Sequence, residues 1–406
     1  MLPLKSPATP VLDPALAQRP VPCLDHGTGI IPAQGLRTAL ARGMLIVAPK
    51  DPPIKPDQVQ PASLDLRLST AAWRMPAAVL PRHESDETID TMVKRIGGTP
   101  IDLCEKQTLI RGEVYLVRLM EAVKLPRGIS GFANPKSSSG RLDMLCRVIA
   151  DRTPVYDDLP EGFCGSLYLQ ITLRSFDITL QAGARLAQLR LRRGISPPTA
   201  IAMRTMQQGA APMIARRDAL PLFDRMGQAP PRMPVHDLRT LKDGITLSID
   251  VSATTPSARV GYRAKDNAPP VDIDQRHLNI DTYWEPVTAQ KNSVRIEKDS
   301  FYILKSREAI QVPEDRAAEL VDMDTRFGDF RSHYAGFFDP GFGLASPDTR
   351  GVLELRSYET PMILNHEQPI ARIVYHPLTC ATDTLYGADL GSHYDGQQLR
   401  LGKQFL

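Results

Sequence analysis

The feature that most limits what this chain can fold into is an internal echo. Ile245-Thr-Leu-Ser-Ile-Asp-Val251 repeats the pattern of Ser63-Leu-Asp-Leu-Arg-Leu68, setting Ser248 and Asp250 where Ser63 and Asp65 stand. Phe301-Tyr-Ile-Leu-Lys305 with Ala309-Ile-Gln-Val-Pro313 repeats Val114-Tyr-Leu-Val-Arg118 with Ala122-Val-Lys-Leu-Pro126. An interval of roughly 170–200 residues is too long for a solenoid and implies two copies of one domain. The reading is therefore a Pro-rich arm over 1–30, a first copy over 31–195, a linker over 196–238 and a second copy over 239–406.

Within each copy the segments read as β. The chain has 36 prolines among 406 residues and only short Val/Ile/Leu runs between them, a pattern of many short strands with few helices. Strands at such spacing imply a barrel or sandwich. Ser63, Asp65 and Arg67 alternate with Leu64, Leu66 and Leu68, as on a half-buried strand. A short helix ending at Gly43 is predicted just after Ile31, and the charged stretch from Pro81 to Thr99 reads as an excursion.

Lys and Arg (49) nearly balance Asp and Glu (46), so no global charge argues for nucleic acid or an anionic membrane. There is no apolar run long enough to cross a bilayer and no secretory leader pattern at the N-terminus. The five cysteines, Cys23, Cys104, Cys146, Cys164 and Cys380, are scattered and odd in number. They read as reduced, mostly buried thiols of a cytoplasmic protein.

One stretch carries chemistry. Ala133-Asn-Pro-Lys-Ser-Ser-Ser-Gly-Arg-Leu-Asp-Met144 places a lysine, three hydroxyls, a glycine and an arginine between two apolar runs. Hydroxyls, backbone N–H groups and two cations suit a phosphate. By itself the stretch reads first as a polar turn on a basic surface and only second as a phosphate site.

Five motifs in order make the chain resemble the dCTP deaminase branch of the dUTPase-like superfamily, over nearly its whole length and in tandem. They are Val59-Gln-Pro-Ala-Ser-Leu-Asp-Leu-Arg-Leu68, Lys136-Ser-Ser-Ser-Gly-Arg-Leu142, Ala335-Gly-Phe-Phe-Asp-Pro-Gly-Phe342 with Val352-Leu-Glu-Leu355, Tyr386-Gly387, and Gly391-Ser-His-Tyr-Asp-Gly-Gln397. The resemblance implies two dUTPase-like distorted β-barrels or jelly rolls. It also implies trimer-based homo-oligomers with interface sites, and hydrolysis of dCTP to dUTP and ammonia. Magnesium is implied on the substrate phosphates and zinc is not. The sequence agrees on zinc, because the His/Cys-x-Glu and Pro-Cys-x-x-Cys signature of the zinc deaminases is absent from it.

By the same resemblance Glu354 is the general base, Arg141 keeps it ionised, and Ser137 orients the water or stabilises charge at C4. Lys136, Ser138 and Ser139 hold phosphate. Asp339 and Phe342 shape the nucleoside turn, and Tyr386, Tyr394 and Gln397 close over the nucleotide. His393 departs from the family's usual lysine, which would make binding weaker or pH-dependent. Ser63, Asp65, Ser248 and Asp250 read as structural ahead of catalytic.

The copies are unequal. The first keeps the loop but has Gln170 at the glutamate position and lacks the Asp-Pro-Gly turn. The second keeps Glu354 but has Asp322 and Arg326 where Ser137 and Arg141 stand. The expectation is one composite site per pair of copies and one silent interface where Gln170 faces Asp322 and Arg326. The competing readings are a dUTP pyrophosphatase, a bifunctional enzyme running to dUMP, and an inactive nucleotide sensor.

Overall fold

The run Leu64–Met75 shows how alternation is used here. Leu64, Leu66 and Leu68 point into the main core with no exposure, but the opposite face, Asp65, Arg67 and Ser69, is at most 3% exposed. The expected half-buried strand is in fact buried on both sides. That is tolerable because most of its polar atoms are paired. Arg67 Nε donates to Glu121 at 2.7 Å and its guanidinium reaches the carbonyls of Pro52 and Pro53. Gln58 Nε2 donates to the same glutamate at 2.8 Å. At the echoing position later in the chain, buried Glu308 accepts the N–H and hydroxyl of Ser248 at 2.7 and 2.6 Å.

The structure is a computed structural model that describes residues 22–82, 87–194, 214–215, 244–253, 255, 257–323, 328, 330–331, 336–387, 394 and 396–405. The fold is mainly β. In the first half a large sheet runs in the order Met144–Ala150, Cys164–Leu173, Val114–Lys124, Leu64–Met75, Arg185–Arg193, Ile129–Pro135 and Asp158–Leu159. Register shifts on both sides of the Leu64–Met75 strand, one with the extra residues in it against Val114–Lys124 and one with the extra residue in Arg185–Arg193, bend the sheet toward a barrel. The second half holds one sheet ordered Trp284–Thr288, Arg259–Ala264, Phe301–Ile310, Arg350–Ser357, Phe330–Arg331. A second is ordered Ile245–Ser248, Pro369–Pro377, Arg316–Val321, Phe337–Phe338.

The halves share a core. Val271–Asp272 pairs in parallel with Ile178–Leu180, which pairs with Gln107–Leu109. Trp284 is 1% exposed and meets Phe176 and Phe405 edge-on, at centroid distances of 5.4 and 5.9 Å. Burying such large rings across the seam is what holds the two halves in a fixed relation.

Several expectations are corrected. Residues 22–30, read as part of a loose arm, fold onto the body. Pro22–Asp25 is a helical turn, and Gly29–Ile30 pairs with the Arg185–Arg193 strand. Cys23 is bonded to Cys380 across 357 residues of sequence, and only Cys146 of the remaining three is buried, so the picture of five reduced, mostly buried thiols fails. The cysteine pattern thus no longer argues for the cytoplasm.

The Pro81–Thr99 excursion contains the helix Ile89–Ile96, started by Thr88, whose hydroxyl accepts the Thr91 N–H, and ended by Gly97 at φ 83°. Most of the proposed linker lies outside the described residues, but Ile214–Ala215 pairs with the Phe301–Ile310 strand. Among the described residues no helix is long and apolar enough to cross a membrane.

Candidate functional site

The Lys136–Leu142 stretch is not an open loop. After the Ile129–Pro135 strand, Ser137–Gly140 makes one helical turn before the chain enters Met144–Ala150. The turn is pinned from below by one carbonyl, since Leu186 O accepts both the Lys136 N–H and the Ser139 hydroxyl at 2.9 Å. Ser139 is 1% exposed and its hydroxyl proton is committed there, which makes it a support for the turn and removes it as a donor to a ligand. Lys136 is paired with Asp65.

Glu354 arrives from the other half. It lies on Arg350–Ser357 opposite Ile303 and is 2% exposed. Its carboxylate sits against Gly140. A Cβ added at position 140 would lie 2.5 Å from Glu354 Oε1 and closer still to Oε2. The two elements are also clamped two residues further on, where fully buried Asp143 pairs with Arg356 and accepts the Ser175 hydroxyl at 2.6 Å.

Arg141 joins the turn to the C-terminal segment. Nη1 donates to the carbonyls of Arg400 and Leu401 at 3.0 and 3.3 Å, Nη2 donates to Gln397 Oε1 at 2.7 Å, and the guanidinium lies 3.9 Å over the Tyr394 ring. Burial pulls the Arg141 pKa below its ordinary value, while Tyr394 and Glu354 nearby act in the opposite direction. Burial pushes Tyr394 up against the opposing charge of Arg141. Gln397 is spent at both ends, because Nε2 donates to Arg350 O at 2.9 Å. It orders the segment and Arg350–Ser357 together.

The Asp339-Pro-Gly-Phe turn forms a third wall. Gly341 has φ 96°, and a side chain there would collide with the Tyr386 backbone, whose N–H donates to Pro340 O at 2.8 Å. Phe342 packs between Phe338 and Tyr386 at 4.9 and 5.6 Å. Burial raises the Asp339 pKa, opposed by Arg190, which is itself wholly buried and donates to Asp339 at 3.1 Å. Arg190 stands on a first-half strand and also holds the carbonyls of Ala318 and Phe338.

All eleven residues singled out from the sequence line one cavity of about 570 Å³ between the halves of a single chain: Lys136, Ser137, Ser138, Ser139, Arg141, Asp339, Phe342, Glu354, Tyr386, Tyr394 and Gln397. Asp65 lines it too, whereas Asp250 pairs with Lys305 elsewhere. Gln170 is not there. Its amide accepts the Val79 N–H and donates to the Tyr156 hydroxyl, so the first half's glutamate position is plugged by its own neighbours. Asp322 is exposed; Arg326 and His393 lie outside the described residues. Sequence reasoning missed Lys403, Arg185 and Gln404 in the wall, as well as Arg190 behind it. Isolated residues with no motif around them gave no signal.

Two family models match. Residues 27–195 match the N-terminal domain of 2′-deoxycytidine 5′-triphosphate deaminase and residues 227–405 its C-terminal domain. A curated relative from Dictyoglomus thermophilum, named dCTP deaminase, dUMP-forming, is 29% identical over 173 residues, 41% of this chain and 82% of the relative. A relative of the same name from Mycobacterium tuberculosis is 29% identical over 168 residues, 40% of this chain and 79% of the relative. The crystal structure of 2′-deoxycytidine 5′-triphosphate deaminase from Agrobacterium tumefaciens superposes with a TM-score of 0.75 at 36% identity, covering 88% of this chain and all of that one.

Proposed function

The chain belongs to the 2′-deoxycytidine 5′-triphosphate deaminase family, and from that premise we propose that the cavity hydrolyses the C4 amine of dCTP, with Glu354 as general base. The observation that carries this is the meeting of Glu354 with the Gly140–Arg141 corner inside one chain. Two halves that each lack part of the machinery complete each other there.

Glu354 takes a proton from water as the oxygen attacks C4 and delivers it to the ring nitrogen. It then moves the proton of the new C4 hydroxyl to the amine, so that the C4–N bond breaks and the C4 carbonyl of dUTP forms as ammonia leaves. The Arg141 charge beside it favours the ionised carboxylate. Rigidity is supplied by the groups around the guanidinium, which fix it before substrate arrives and so lower the cost of orienting the reactants. Ser137 and Ser138 offer hydroxyls to the attacked centre and to phosphate, and Lys136 adds a charge.

Magnesium entering with the triphosphate would find Asp65 among the carboxylates that line the cavity. Asp65 Oδ1 is buried, beside Lys136, and has no hydrogen-bond partner. Among the described residues no three His, Cys, Asp or Glu side chains gather into a metal cage. This donor set fits an ion carried mainly by phosphates and water, whose contribution is to neutralise phosphate charge.

We read 31–195 and 239–406 as two copies of one domain, and three chains giving six domains as the assembly. The site itself draws on residues of a single chain. The test is ammonia release from dCTP by the wild-type protein and by Glu354→Gln, with dCTP binding followed by calorimetry. The expected result is a loss of about 10²–10⁴-fold in turnover with binding kept; near wild-type turnover in the variant overturns the assignment.

The names of the two curated relatives favour a second reading, in which the same cavity carries dUTP on to dUMP and pyrophosphate. Product analysis separates the two: dUTP accumulating with ammonia supports the first, and pyrophosphate formed in step with ammonia supports the second.

A further inference from the structure

Four cationic side chains line the cavity, and three are already engaged. Lys136 is held by Asp65, and Arg141 by three oxygens and the Tyr394 ring. Arg185 is bound by both carboxylate oxygens of Asp57, at 3.0 and 2.9 Å, and by its carbonyl. The fourth, Lys403, has no carboxylate or hydrogen-bond acceptor on its ammonium among the described residues.

Its position is nevertheless built. Lys403 opens the turn Lys403–Phe405, and the residues on both sides of it are fixed. Leu401 is 3% exposed. Gln404 Nε2 donates to Ile273 O at 3.2 Å and the Gln404 backbone carbonyl accepts the Leu278 N–H at 2.9 Å. Phe405 stacks edge-on against Tyr283 at 5.4 Å. The Lys403 N–H donates to the Tyr394 hydroxyl at 3.2 Å, which links it to the ring beneath Arg141.

The groups facing this ammonium are Arg276, Lys136, Asp65 and Asp274. The two acids are committed to Lys136 and, at 3.4 Å, to Lys106. Burial, then the like charges of Arg276 and Lys136, hold the Lys403 pKa below its ordinary value. A cation anchored by its backbone, whose facing acids are shared with other lysines, and facing a cavity calls for an anion from outside.

We infer that Lys403 is a nucleotide-binding residue that reads the phosphate chain of the substrate and sets the preference for a triphosphate over shorter phosphates. This rests on the deaminase reading above. It assigns the phosphate charge to the last turn described in the chain, in a residue that no motif marks.

The experiment compares wild type, Lys403→Gln and Lys403→Arg, full-length, on dCTP and dCMP, by ammonia release and by calorimetric binding. Lys403→Gln should raise the KM for dCTP about tenfold or more, the range of a lost charge-assisted hydrogen bond, with kcat within about twofold. The response to dCMP should change far less, and Lys403→Arg should recover most of the loss. An unchanged dCTP-to-dCMP preference, or equal losses on both substrates, overturns the inference while leaving the deaminase reading intact. A wild-type protein that neither binds nor deaminates dCTP overturns both. Because the Lys403 side chain has no internal partner, the variant should melt with the wild type, and a lowered Tm would count against the assignment.

Discussion

Gly140 and Glu354 meet so closely that a methyl group at position 140 would lie 2.5 Å from Oε1 of the glutamate. The glycine is therefore required by its neighbour, with no demand from backbone conformation, since position 140 is absent from the left-handed glycines. The atom in the way is the far end of a flexible side chain, so the fold can absorb the change by moving Glu354. Gly140→Ala should leave the circular dichroism and melting curve near wild type. It should lower kcat for deamination about 100-fold, the scale expected of a 1 Å displacement of a reacting group. Steady-state ammonia release measures it, and an active Gly140→Ala protein would remove Glu354 from the reaction.

The clamp between Asp143 and Arg356 sits two residues beyond Arg141 and two beyond Glu354. Both side chains are at most 4% exposed. Removing the charge of one partner of such a pair costs about 3–5 kcal/mol, because the other is left in a poor dielectric without its counter-ion. Asp143→Asn keeps the shape and the φ of 56° that asparagine tolerates. It should lower stability by that order in urea unfolding and loosen the Glu354 strand against the serine turn. A variant as stable as wild type would show that this ion pair adds nothing to the hold between the two halves.

Asp157 gives a pH dependence with a definite sign. Burial pushes its pKa up to about 6, against the pull of Arg147 and the Val148 N–H. Between the ordinary aspartate value, about 4, and about 6 the folded protein keeps a proton that the unfolded chain releases. Unfolding then releases a proton, so stability falls as pH rises through that window and levels off above it. Asp157→Asn cannot titrate. The difference between variant and wild-type Tm should shift in favour of the variant from pH 4 to 6 and then stay constant. A difference that does not vary with pH would place Asp157 at its ordinary value.

The sequence made the chemistry more legible than the frame around it. Lys136–Leu142, Glu354 and the Asp339 turn announce themselves because each is a dense cluster of unusual residues in a fixed order. The structure places all of them in one cavity. The mainly β architecture was legible too, since proline and short aliphatic runs leave few alternatives. The helix Ile89–Ile96 was missed, although Thr88 and Gly97 mark its ends and Ile89, Met92, Val93 and Ile96 share a face. Its charged residues give the segment the composition of a solvated loop. Gln170 was seen as a lost base, but that Val79 and Tyr156 fill the place could not be read, because neither touches it in sequence. Lys403 and Arg190 act singly, and only three-dimensional neighbours give a single residue meaning.

The Cys23–Cys380 bond was invisible for the same reason, and it has a consequence for how the molecule comes apart. A backbone cut at any one place between those two positions does not divide the protein. Both fragments stay joined, and the Glu354 half cannot drift from the serine turn it faces. A singly nicked sample would run as one species until a reductant is added and as two afterwards. The clasp thus makes the tethering of the two halves independent of the polypeptide that connects them.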